Sequence, residues 1–138
     1  MLGTFLERTP SPLPTPGDVG GLLFNLVSAA IIAPIGEELF FRGFATTAWY
    51  RSLGAAAPAI IRGALFFSLA HVLTQLDESF AIGAQRAMFS FVALLPAGIA
   101  LGWVFLSRRS LYAAIGLHGA FNGIQVLLAF LAAGALAQ

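Results

Sequence analysis

Apolar residues in this chain run in long blocks instead of the short alternations of a soluble helix or strand. Four blocks stand out, over about residues 19–50, 59–73, 87–106 and 111–135. A helix needs roughly 20 apolar residues to cross a bilayer, within a range of about 17–25. The third and fourth blocks meet that requirement. The second is short and draws on its neighbours. The first is too long: at about 1.5 Å per residue it extends roughly 48 Å, against a hydrocarbon core of about 30 Å. Pro34 lies inside it. A proline there removes a backbone hydrogen bond and kinks or restarts the helix. The pattern predicts helix to about residue 33, an interruption over residues 34–36, and a second helical piece to about residue 51. Broken backbone at membrane depth is stable only where protein or a water-filled cavity surrounds it. The expected fold is an all-α, polytopic transmembrane bundle of about four spanning helices, the first long and broken near Pro34.

The connections at 52–58 and 107–110 are short, so successive helices should lie antiparallel. A longer loop is expected over residues 74–83, carrying Asp77 and Glu78. Arg51, Arg62, Arg108 and Arg109 then share one side of the membrane, with Arg8 and Arg86 flanking the other. The positive-inside rule places the four in the cytosol and Met1 outside. Residues 1–17, with Pro10, Pro12, Pro14 and Pro16, read as an extended lead-in to a core over 18–138. They lack the basic-then-apolar pattern of a signal peptide. An outside N-terminus without an export signal hints that upstream helices are missing. Gly98 and Gly102 form a small-xxx-small pattern that would let two helices approach closely.

Composition agrees. The chain is 59% hydrophobic and only 9% charged, against about 25% charged in a soluble domain. All seven basic residues are arginine and none forms a run, which argues against nucleic acid. No cysteine is present, so disulfides, thiolate metal sites and cysteine nucleophiles are excluded together. Trp49 and Trp103, near block ends, fit an interfacial aromatic belt. The chain reads as an integral membrane protein, with lipid as its first partner.

Against this background the charged and polar positions inside the blocks matter. Between residues 20 and 49 the only charged residues are Glu37, Glu38 and Arg42. Each costs roughly 2.5–3.5 kcal/mol at a membrane helix centre on insertion scales, which makes it a functional hypothesis by default. Glu38 and Arg42 are four apart and can pair on one helix face. Glu37 is rotated about 100° away. Phe67 and His71 share a face in the second block, as do His118 and Asn122 in the fourth. Gathering these patches lets them hydrogen-bond to one another instead of being buried singly.

Their chemistry suits amide hydrolysis by water. A glutamate can hold and deprotonate water, and a histidine can position it or pass its proton on. Imidazole and carboxamide N–H groups can meet a developing oxyanion. The chain has no HExxH zinc-protease motif and no GxSxG elbow. Asp18 and Asp77 fall at helix ends or in a loop, which argues against an aspartyl dyad.

In order along the chain, EExxxR (Glu37, Glu38, Arg42), FxxxH (Phe67, His71) and HxxxN (His118, Asn122) resemble the three signature motifs of the CAAX-prenyl protease and bacteriocin-processing family, also called Abi, of intramembrane glutamic endopeptidases. The resemblance extends over about residues 19–130. It implies that Glu37 and His71 activate water and that His118 and Asn122 form the oxyanion hole. It gives Glu38 and Arg42 supporting parts. Phe67 is read as packing that shapes the pocket. The resemblance further implies no cofactor and a peptide or protein substrate, in CAAX-like processing or bacteriocin self-immunity. Family members usually carry further helices before the first motif, where this chain has its proline-rich stretch.

Two other readings use the same residues. Glu37, His71 and His118 are suitable zinc ligands for a metal-dependent membrane protease. A non-enzymatic immunity or transport protein could use them as a proton relay.

Overall fold

The computed structural model describes residues 19–73 and 80–136. Among them every regular element is helical: α1, Val19–Leu53; α2, Ala56–Val72; α3, Phe80–Arg108; and α4, Leu111–Leu136. Three of these, α1, α3 and α4, are long and apolar enough to cross a membrane, and α2 is a shorter apolar helix of 17 residues. That length is the lower limit for a span. The expected all-α bundle is therefore present. Helix α3 begins at Phe80, so residues 80–83 are helical where a loop was expected. The lead-in over 1–17, Asp18 and the acidic residues Asp77 and Glu78 lie outside the described residues.

Pro34 does not break α1. The helix instead widens to π-type winding over Ser28–Ile32, returns to α over Ala33–Glu38, and widens again over Leu39–Thr46. The cause of the first widening lies in hydrogen-bond supply. Pro34 has no N–H to give. One residue earlier, the Ala33 N–H reaches back to Ser28 O, a five-residue step. The wider register thus absorbs the proline without loss of helix, as single π turns commonly do at functional sites. In the second widening the Thr47 N–H bonds Arg42 O. The hydroxyls of Thr46 and Thr47 donate to Phe41 O at 2.8 Å and Arg42 O at 3.0 Å.

The described residues divide into two compact units, residues 34–73 with 80–118 and residues 19–33 with 119–136. In the larger unit α2 and α3 form the most extensive pairing. A Cβ on Gly98 would sit 3.0 Å from Ala64 Cα, and one on Gly102 would sit 3.3 Å from Ile60 Cγ2. Position rises along α3 as it falls along α2, so the two run antiparallel, and the expected small-xxx-small contact forms. Gly98→Val should destabilise the protein by about 1–3 kcal/mol through overpacking against the α2 backbone. Thermal denaturation in detergent measures this. A similar contact joins α1 to α2, where a Cβ on Gly63 would collide with Thr46 Oγ1.

This unit buries polar and charged side chains and exposes large apolar ones. Its largest fully buried side chains include Arg42, Phe67, Glu38 and Thr46, while Phe44 is 68% exposed and Leu69 58%. A surface of that kind suits hydrocarbon, since lipid offers large apolar side chains no penalty while polar groups need partners within the protein.

In the smaller unit Asn25 is buried. A Cβ on Gly119 would meet Ala30 O at 2.5 Å, and one on Gly123 would meet Ala30 Cβ at 3.5 Å. Gly119 and Gly123 are thus a second small-xxx-small pair.

Turns close the helices tightly. After α1, Gly54 takes a left-handed conformation (φ 68°) and its N–H bonds Tyr50 O at 3.0 Å. After α3 the left-handed residue is Arg109 (φ 49°), and the Ser110 N–H bonds Phe105 O at 3.3 Å. This is the Schellman ending, in which glycine is the usual occupant. An L-residue there costs about 1–2 kcal/mol.

Candidate active site

The larger unit gathers six of the residues singled out from the sequence. Glu38 and Arg42, one turn apart in α1, are joined by a 2.7 Å bond from Nη1 to Oε1, with both side chains almost wholly buried. Three further contacts hold the guanidinium. Its carbon lies 4.5 Å from the Phe67 ring centroid and 6.0 Å from that of Phe41. Its Nη2 points at Gly98 O, 3.4 Å away on α3. A buried ion pair survives only with such extra partners, and a desolvated cation–π contact is among the stronger kinds.

His118 enters from α4 and binds the same carboxylate oxygen: its Nδ1 lies 2.8 Å from Glu38 Oε1. Glu38 therefore receives two charge-assisted bonds at one oxygen. His71, on α2, is fixed by its own helix. Its Nδ1 lies 2.8 Å from Phe67 O. A carbonyl only accepts, so His71 Nδ1 carries the proton, and the carboxylate imposes the same on His118. Both rings then turn Nε2 toward Glu37. The distances to Glu37 Oε2 are 3.6 Å from His71 and 3.8 Å from His118.

These separations are too long for direct hydrogen bonds. Glu37 is 30% exposed and His71 26%. Glu37 Oε2 is itself buried, with no hydrogen-bond partner among the described residues. A carboxylate oxygen and two imidazole Nε2 atoms thus converge at a partly open spot. Phe67 forms its wall: the ring lies 4.4 Å from the His71 ring and 5.7 Å, edge-on, from that of His118. The phenylalanine of FxxxH accordingly touches both imidazoles and Arg42.

Asn122 belongs to the smaller unit. Its Nδ2 donates to Ala29 O at 2.9 Å. That carbonyl has lost its usual donors: the Ala33 N–H is turned to Ser28 O, and residue 34 is a proline. The asparagine therefore satisfies a backbone group that the π register leaves over, and one of its two amide hydrogens is used in doing so.

Sequence reasoning did not foresee the His118–Glu38 bond or the parts played by Thr46 and the Gly98 carbonyl. The Gly98/Gly102 spacing was the only signal for the last.

The donor types of Glu37, His71 and His118 suit zinc, with each Nδ1 tied back as metal-binding imidazoles require. Yet among the described residues no three histidine, aspartate or glutamate side chains are arranged to hold a metal ion.

Comparison with known proteins adds a family. Searches of curated proteins and of solved structures gave no match. A family model described as type II CAAX prenyl endopeptidase Rce1-like matches residues 19–124. The match takes in all three motifs and most of the chain, and it bears out the family resemblance. With spanning helices, a buried Glu–Arg pair and two imidazoles facing a second glutamate, this chain belongs to the type II CAAX prenyl endopeptidase Rce1-like family, a family of membrane proteases.

Proposed function

We propose that the chain is a glutamic intramembrane endopeptidase that cuts a peptide bond with water activated by Glu37 and His71. The observation that supports this most is the convergence of both Nε2 atoms on Glu37 Oε2, at 3.6 and 3.8 Å. A substrate water binds there between Glu37 and His71. Glu37 removes a proton from it while His71 Nε2 orients it through its other hydrogen. The hydroxide oxygen forms a bond to the carbonyl carbon, and the carbonyl oxygen takes the negative charge. The proton held by Glu37 passes to the amide nitrogen as the carbon–nitrogen bond breaks, releasing an acid and an amine.

His118 steadies the oxyanion. With Nδ1–H given to Glu38, an Nε2–H donor means the doubly protonated ring. Charge then balances: two carboxylates face one guanidinium and one imidazolium. On the HxxxN motif alone, Asn122 is assigned as a second donor. Glu38 and Arg42 support the site without reacting, and no cofactor is needed.

The substrate is a peptide or protein met at the membrane. A lipidated C-terminal segment is the first candidate, because the family is one of CAAX prenyl endopeptidases. A bacterial plasma membrane and bacteriocin self-immunity complete this reading.

The test is cleavage of lipidated and unlipidated peptides by the purified protein in liposomes, with products weighed by mass spectrometry. His71→Ala is expected to lower the rate by about 10²–10⁴-fold, and a strong chelator should leave the parent's rate unchanged. Loss of activity on chelation with recovery on adding zinc would transfer the mechanism to a metal. Proton flux without any hydrolysis would point to a transporter.

A further inference from the structure

A second site lies at the end of the larger unit where α1 stops, α2 begins and α3 stops. A half-open pocket of about 530 Å³ is lined there by Tyr50, Ile60, Trp103, Leu106, Ser107 and Arg109, among others. Ligand sites commonly fall within about 300–1,000 Å³. Its walls are of two kinds. Ile60, Leu106 and the Trp103 ring are apolar, while Arg109, Ser107 and the Tyr50 hydroxyl are polar.

Charge at this end is of one sign. Arg51, Arg108 and Arg109 belong to it, and there is no acidic residue anywhere in 39–73 or 80–138. Among the described residues no carboxylate pairs with Arg109. Arg109 also stands in the left-handed position, where glycine would be the less strained choice. An arginine kept there against its backbone preference, unpaired and facing a pocket, marks a site for an anion. The helix ends and the two aromatic residues set the pocket at headgroup depth, where basic pockets between membrane helices hold anionic lipid heads.

We propose that this pocket binds the phosphate of an anionic glycerophospholipid, with Arg109 and the Tyr50 hydroxyl on the phosphate and the start of an acyl chain along Trp103 and Ile60. The occupant is a lipid because the apolar wall would be wasted on a free ion. The site is separate from the residues assigned to proteolysis.

Native mass spectrometry of the purified full chain tests this, with phosphatidylglycerol and phosphatidylcholine at equal mole fraction and, separately, inorganic phosphate. Phosphatidylglycerol should be retained about tenfold over phosphatidylcholine. Arg109→Gln and Arg109→Gly should each weaken that retention about tenfold, the scale of one charge-assisted hydrogen bond. Arg51→Gln, away from the pocket lining, should change it less than twofold. Arg109→Gly should melt no lower than the parent, which separates loss of binding from loss of fold. Retention unchanged in Arg109→Gly, or lost equally in Arg51→Gln, would overturn the site. Displacement of the lipid by millimolar phosphate alone would overturn the lipid as occupant.

Discussion

Glu37→Gln is expected to lower peptide cleavage by about 10²–10⁴-fold, the usual contribution of a positioned general base, while the protein melts within a few degrees of the parent. The two halves of this expectation come from the same geometry. Glu37 is part-exposed, and its Oε2 makes no hydrogen bond among the described residues. An amide of equal shape therefore forfeits little packing and no direct bond. It does forfeit the carboxylate that faces the two Nε2 atoms. Glu38 is no substitute, because its Oε1 already receives Arg42 Nη1 and His118 Nδ1 and its side chain is fully buried. Turnover at the parent's rate in a purified, folded Glu37→Gln variant would remove Glu37 from the chemistry.

Arg42→Met should have the opposite profile, with a large loss of stability. Removing one partner of a buried ion pair costs about 3–5 kcal/mol, because the remaining charge stays desolvated. Here the Glu38 carboxylate would keep, among the described residues, the His118 imidazole alone. The guanidinium would also vanish from the Phe67 ring, 4.5 Å away, which walls both histidines. Denaturant titration in detergent measures the change. The double variant Glu38→Met with Arg42→Met should recover much of it, since an apolar pair of similar volume is often no less stable than the ions it replaces. An Arg42→Met protein as stable as the parent would show that the pair does not contribute to the stability of the fold.

The two variants also separate the adjacent glutamates, which share chemistry but not surroundings. Adjacent positions on a helix point about 100° apart. One carboxylate is thereby turned into the helix packing and the other toward a partly open cavity. Glu38→Gln would be a poor probe of catalysis, since it disturbs His118 and Arg42 together.

The helices and the bonds within them could be read directly from the order of residues. Apolar block length gave the elements to within about three residues except at the start of α3, which begins seven residues before its block, because hydrocarbon imposes its thickness on any helix that crosses it. The spacing of four gave the Glu38–Arg42 bond and the tilted ring contact of Phe67 with His71, because α-helical geometry makes such pairs neighbours. The winding of α1 could not be read in the same way. A proline predicts lost hydrogen bonds, but whether the helix breaks or widens depends on which groups are nearby to take the freed carbonyls, and Asn122 takes that of Ala29.

What the chain determined alone was therefore local and repetitive: four apolar helices, their small-residue faces, and polar pairs one turn apart. Tertiary structure decided which imidazole binds which carboxylate, since Glu38 and His118 lie 80 positions apart and no periodicity links them. It also decided that Glu37 is the glutamate left facing both Nε2 atoms. Hydrogen bonds within a helix follow from its own pitch, whereas bonds between helices depend on where close-packed glycines let the backbones meet.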